Sequence, residues 1–339
     1  MRYQGPFPGD QQPSCTGILL TNLGTPDSTA VGDVRRYLKA FLSDPRVVEM
    51  PRLPWWLILN LVILRIRPAR SANSYQKIWG AEGSPLLYLS RRQATALQAL
   101  LDQADSGPFR VELAMRYGNP SIAHGLERLR QANARRILVL PLYPQYSATT
   151  TASTFDEVSR VLRGWRWIPE LTFINEYHTH PAYIEALADS IRQFRQQQGE
   201  PDRLLISFHG IPKEYAAAGD PYPDQCRATA ARLAAALQLP KERWACSFQS
   251  RMGRKEWLQP YTDQTLKAWP AEGVRRVQVI CPGFPADCLE TLEEIGEENR
   301  DCFLAAGGDE YHYIPALNDG ASHIQMLRKL VFEKLMPIC

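Results

Sequence analysis

The sequence predicts an α/β fold of two Rossmann-like domains, each a four-stranded parallel sheet flanked by helices, facing one another across a cleft. Three observations carry this. Short apolar, β-branched runs alternate with amphipathic stretches of helical length, the mark of βα units. The runs fall into two sets of four with one plan. The chain of 339 residues exceeds what one hydrophobic core usually organises.

In chain order, the polar start MRYQGPFPGDQQPS has no apolar core and is not a secretory signal. Strands are expected near Gly17–Thr21, Val111–Met115, Ile137–Leu140 and Leu171–Ile174, then near Leu204–Phe208, Trp244–Phe248, Val277–Cys281 and Tyr311–Ile314. The first strand of each set runs into a Gly/Pro loop, Leu23-Gly24-Thr25-Pro26 and His209-Gly210-Ile211-Pro212. The second strands lead into Arg116-Tyr117-Gly118 and Ser250-Arg251-Met252-Gly253. Both third strands follow an Arg pair and end in proline turns, at 141–144 and 282–285. The third strands start 140 residues apart (137 and 277), as do the fourth (171 and 311), which points to an internal duplication. Roughly 50 extra residues between the first two strands of the first half break the match. The boundaries expected are 1–178 for the first domain, with a lip insertion at about 45–90, and 179–339 for the second, its final helix free to pack back on the first. In open α/β sheets ligands bind at the carboxyl ends of the strands, so the loops named above should line the cleft.

Composition narrows the function. A net charge of +3 over 75 charged residues (39 basic, 36 acidic) gives no steering field, and no basic block suggests nucleic acid as partner. The seven cysteines (15, 226, 246, 281, 288, 302 and 339) are scattered without a C-x-x-C. That argues against a disulfide framework or zinc ribbon and fits a reducing cytosol. The longest apolar run, Trp55–Leu64, is about half of what a membrane span needs. Arg52, Arg65, Arg67 and Arg70 flank it, as in segments that touch a membrane surface. A buried core helix between two prolines fits the same pattern.

Two places carry chemistry. His209 ends a strand before a tight turn, placed either to face the cleft or to bond the backbone of its own loop. No His/Glu spacing suggests a standing metal cage; a metal delivered rather than retained needs fewer ligands. The segment from Pro282 to Phe303 reads as a helix with Asp287 as N-cap and Leu289, Leu292, Ile295 and Phe303 as its buried stripe. Opposite lie Glu290, Glu293, Glu294, Glu297 and Glu298. Acid in a first turn suits the helix dipole, yet five carboxylates exceed what capping uses. Glu290, Glu294 and Glu298 at i, i+4, i+8 would form a row on one face, a path for a hydrated divalent cation.

At this point the sequence resembles a known family over nearly its whole length. NLGTP at 22–26, YPQYS at 143–147, SFHGIP at 207–212, GDPYP at 219–223, QSRMG at 249–253 and PGFPADCLETLEE at 282–294 are together similar to the ferrochelatases, bacterial type. The resemblance implies the chelatase-like fold of paired four-stranded sheets. It also implies insertion of Fe²⁺ into protoporphyrin IX to give protohaem, the last step of haem biosynthesis, by a lyase. It assigns His209, Glu290 and Asp287 to catalysis and His209, Glu290, Glu294 and Glu298 to the metal. For the porphyrin it points to Leu23, Arg67, Tyr75, Ser84, Arg116, Tyr117, Trp257 and Phe284, and more weakly to Tyr143 and Tyr146. The partners implied are protoporphyrin IX and ferrous iron, with iron as substrate and no cofactor retained.

Two departures stand out. Position 288 is cysteine where some members of the family have histidine, which should spare activity but offers a thiol to soft metals. No cysteine cluster precedes Cys339, so no [2Fe–2S] centre is expected. The apolar lip favours protoporphyrin over the four propionates of coproporphyrin III, the nearest rival substrate. A non-catalytic tetrapyrrole carrier and a cobalt or nickel chelatase are the other rivals. The expected location is cytoplasmic, peripheral at the inner face of the membrane through the Trp55–Leu64 lip.

Overall fold

The computed structural model describes residue 3 and residues 13–253 and 255–335. Most of the polar start and Cys339, on which two of the expectations above fall, lie outside the described residues.

Eight strands form, each on one of the apolar runs: β1 Cys15–Gly24, β2 Phe109–Tyr117, β3 Ala134–Pro141, β4 Glu170–Phe173, β5 Arg203–His209, β6 Trp244–Gln249, β7 Arg276–Ile280 and β8 Glu310–Ile314. They make two all-parallel four-stranded sheets, ordered β2-β1-β3-β4 and β6-β5-β7-β8. The second order is the first advanced by four, so the repeat read from sequence spacing is a repeat of topology. Parallel strands covered on both faces read as continuous apolar runs: Ile18, Leu19 and Leu20 of β1 and Leu204, Leu205 and Ile206 of β5 are all fully buried.

The chain separates into two compact units. The first comprises the described parts of Met1–Leu142, Ala148–Asn175 and Ile324–Cys339; the second comprises Tyr143–Ser147 and Glu176–His323. In the first, Leu19, Leu126, Ile137, Val139 and Val158 form one side of the core. The last helix supplies Phe332, edge-on to Phe109, and the backbone carbonyl of Leu335 accepts from Arg136. In the second, Leu205, Val277, Val279, Ile295 and Phe303 do the corresponding work. The proline-turn segment 143–147 is held by the helix Tyr222–Ala236 and the loop before it. Gln145 donates to Thr229, the Tyr146 amide to Gln225, and Ser147 to Asp220.

The inserted stretch is helical: Arg52–Ile58, a π-wound turn at Leu59–Ile63, then Leu64–Ile78. Leu59 and Leu64 are buried, but Trp56, Leu57, Ile58, Leu61 and Val62 are exposed. The Trp55–Leu64 run is therefore not a buried core helix, and no helix among the described residues is long and apolar enough to cross a membrane.

The first-unit loops depend on glycine at two places. Gly24 sits at φ +111°, and a Cβ there would lie 1.6 Å from the Tyr117 carbonyl oxygen. Gly118, at φ +101°, would meet the Thr25 carbonyl at 2.6 Å. The ends of β1 and β2 can therefore lie this close only without side chains at these positions.

Candidate active site

In the second unit, His209 is the last residue of β5 and pairs in register with Gln249, the last of β6. The loop after it is pinned by its neighbour segment: Lys213 N–H donates to the Glu256 carbonyl and Leu258 N–H to that of Ile211. This places the Trp257 ring 6.4 Å from the His209 ring, and the Phe284 ring lies at the same distance. Gly210 sits in close quarters, since a Cβ would lie 3.0 Å from the Gln249 carbonyl and 3.2 Å from Trp257. His209 Nδ1 is 2.6 Å from the Gly210 carbonyl oxygen. A carbonyl only accepts, so the neutral imidazole carries its proton on Nδ1 and leaves the Nε2 lone pair for a proton or a metal. The bond to its own loop backbone, one of the two placements expected of this histidine, is present.

Gln249 links His209 to the acidic helix. Its side-chain amide donates to the Glu290 carbonyl, while its own carbonyl oxygen accepts from Ser207. Glu290–Asn299 is wound as a π-helix rather than the α-helix expected. Glu293 is buried, not on an open acidic face, whereas Glu298 is exposed. Of the expected apolar stripe, Ile295 and Phe303 are fully buried, while Leu289 and Leu292 are half-buried.

Glu294 is the most perturbed carboxyl of this helix. It accepts from the Ser250 amide at 2.7 Å and from the Ser250 hydroxyl. Desolvation, reinforced by Glu290 and Glu298, outweighs those bonds and pushes its pKa up to about 7, so it exchanges a proton near neutrality. The sequence places Ser250 in a cleft loop without giving it a role. Its φ of +66° is uncommon for a residue with a side chain, and it turns both of its donors onto Glu294.

Asp287 is not a helix N-cap. Its Oδ1 accepts from the Thr291 and Tyr313 hydroxyls at 2.9 and 2.6 Å, and its Oδ2 from the Asn318 amide at 2.8 Å. Two neighbouring elements thus spend this carboxylate on fixing the turn that precedes Glu290. Cys288 beside it is buried, and its thiol pKa is pushed well up by burial and by Glu290.

The first unit holds the other residues expected to contact porphyrin. Arg116 and Tyr117 end β2, and the Arg116 guanidinium lies 4.6 Å from the Tyr117 ring centroid. Leu23 lies in β1. Ser84 is buried, bonded to Thr25 at 2.8 Å. Tyr75 is buried edge-on to Tyr37 and Trp79. Arg67 is half-buried on the lip, and burial together with Arg70 lowers its pKa. The weaker candidates belong to the second unit: Tyr143 is buried and Tyr146 half-buried.

A family model for ferrochelatase matches residues 15–335. The chain belongs to the ferrochelatase family. The ferrochelatase of Thioalkalivibrio sulfidiphilus is 57% identical over 95% of this chain and 88% of that protein, and that of Nitrosococcus oceani is 56% identical over 94% and 86%. The fold is shared more widely. SirB from Bacillus subtilis, solved with Fe³⁺, aligns at a TM-score of 0.53 with 16% identity, covering 74% of this chain and 92% of SirB. The sirohydrochlorin chelatase SirB from Bacillus subtilis subspecies spizizenii, in complex with cobalt, aligns at 0.54 with 13% identity, covering 75% and 93%. As a ferrochelatase, the protein is a metal chelatase of haem biosynthesis, a lyase acting on a porphyrin and ferrous iron. Among the described residues no three His, Cys, Asp or Glu side chains are gathered as a metal cage.

Proposed function

We propose that His209 and Glu290 are the pair at which ferrous iron enters protoporphyrin IX. Glu294 and Glu298 attend the metal or its protons, and Asp287 holds the turn that presents Glu290. The observation that carries this is the Nδ1–Gly210 bond, which leaves the His209 Nε2 lone pair beside two aromatic rings. Metalation removes two pyrrole protons and strips water from Fe²⁺. An imidazole lone pair and a carboxylate are the donors those steps use. Glu294, its carboxyl pKa pushed by burial up to about 7, is suited to taking or returning a proton while bonded to Ser250. Apolar and aromatic walls suit a flat macrocycle whose deformation is driven by binding the rest of the ring. Trp257 and Phe284 in one unit, and Leu23, Arg67, Tyr75, Ser84, Arg116 and Tyr117 in the other, are its proposed contacts.

His209→Ala should cut iron insertion by about 100-fold or more while protoporphyrin still quenches tryptophan fluorescence. Unchanged turnover would remove His209 from the reaction and favour a carrier. Insertion into protoporphyrin should be faster than into coproporphyrin III, and the reverse order would reassign the substrate.

No retained cofactor enters this reading. The exposed strip Trp56, Leu57, Ile58, Leu61 and Val62 supports contact with the inner face of a membrane. No acidic residue occurs between Met50 and Ala81, whereas Arg52, Arg65, Arg67, Arg70 and Lys77 do, a balance suited to anionic lipid. The enzyme would then be cytoplasmic and peripheral.

A further inference from the structure

Asp44 is the most heavily engaged carboxylate of the first unit. Its side chain is 3% exposed. Oδ2 accepts from Arg116 Nη2 at 2.5 Å, from the Tyr117 hydroxyl at 2.8 Å and from the Ser153 hydroxyl at 2.7 Å. Oδ1 accepts from the Arg46 amide at 2.8 Å. Arg116 is held a second time, its Nε donating to Ser153 Oγ at 2.7 Å and to the Ser153 carbonyl at 2.9 Å. Nη1 is the guanidinium nitrogen left without a partner among the described residues, on a side chain 17% exposed.

The position of Asp44 in the chain matters as much as its bonds. It follows the helix Val31–Leu42 and precedes the lip, whose first turn is tied to the same spot. Trp55 Nε1 donates to the Leu42 carbonyl at 2.7 Å, and Arg52 to that of Ser43 at 3.3 Å. One carboxylate thus joins three elements: the root of the lip, the end of β2 and the start of the helix Ser153–Leu162. A charge this deep is stable only while its partners stay in place. The arrangement therefore ties Arg116 and Tyr117 to one carboxylate.

We propose that Asp44 is a positioning residue for porphyrin binding. With Ser153, it locks the Arg116 guanidinium and the Tyr117 ring in one arrangement that keeps Nη1 as the donor edge offered to the substrate. This rests on the reading of Arg116 as a porphyrin contact. Asp44 touches no substrate itself; it acts through Arg116 and Tyr117.

The test is titration of the full-length enzyme with protoporphyrin IX, followed by tryptophan quenching, with steady-state kinetics run alongside. Asp44→Asn keeps the shape and removes the charge, and it should weaken porphyrin binding about 10-fold. The KM for ferrous iron should change less than about 2-fold, since that role belongs to the second unit. Ser153→Ala, which keeps the Asp44 charge and its bond to Arg116, should weaken porphyrin binding about 3-fold. Because both act through the same group, Asp44→Asn should add nothing to Arg116→Gln in the double variant. Wild-type porphyrin affinity in Ser153→Ala and in Asp44→Asn would overturn the proposal, as would effects of Asp44→Asn and Arg116→Gln that multiply. Should Asp44→Asn fail to fold, Ser153→Ala alone and combined with Arg116→Gln decides the matter by the same criteria. Unchanged porphyrin affinity in Arg116→Gln would instead overturn the reading of Arg116, and the role of Asp44 with it.

Discussion

The Gly210 carbonyl, 2.6 Å from Nδ1 of His209, decides which nitrogen of that ring can meet a proton or a metal. The sequence displays the histidine and the tight turn after it, but the tautomer follows from a bond that only the folded loop makes. A second histidine shows the opposite case. His323 is fully buried, with Nδ1 against the Asn318 carbonyl and Nε2 without a partner among the described residues. Burial lowers its pKa to about 4, so it is neutral in the native protein. The unfolded chain binds a proton near pH 6.5 that the native state refuses until about pH 4. The stability this group contributes is therefore complete above pH 6.5 and lost as the pH falls through 4, roughly 3 kcal/mol at most. Urea unfolding at pH 7.5 and 4.5 should show most of that loss in the wild type and much less in His323→Gln. Equal losses in the two proteins would show that the imidazole is not the group responsible.

Elements divide into those the sequence displays and those it conceals. All eight strands were legible because buried parallel strands are written as unbroken β-branched and apolar runs. The helical lip was legible as an apolar run with basic flanks. Its exposure was not, because the pattern also suits a core helix until its neighbours are known. The π-winding of Glu290–Asn299 was hidden for a related reason: acid-rich sequence favours a helix without specifying its pitch. The Asp44 network joins residues 72 and 109 positions apart, a separation that no local pattern encodes. Two expected outcomes belong at this scale. Gly24→Ala should cost more than about 3 kcal/mol, read by urea unfolding, because a Cβ at 1.6 Å from a backbone oxygen forces β1 and β2 apart. In contrast, Leu57→Ser with Leu61→Ser should leave the thermal midpoint within a few degrees, since both side chains are exposed. Sedimentation with anionic vesicles should fall at least about 10-fold in that double variant. Retention of full vesicle binding would exclude the lip as the contact.

At the scale of the whole molecule, one topology occurs twice and has diverged in use. The first unit carries the insertion, a buried Arg–Asp pair and the tyrosines. The second carries the imidazole and the carboxylates. The duplication was visible as two strand spacings of 140 residues, because chain length between equivalent strands survives when side chains change. The assignment of metal chemistry to the second unit and ring-holding to the first is the central claim. A crystal structure of the protein with protoporphyrin tests it most directly. The account predicts the macrocycle lying with His209 Nε2 over one face of the pyrrole nitrogens and the Glu290 carboxylate over the other. A ring bound with His209 and Glu290 on the same face, or with its four nitrogens remote from both, would contradict it.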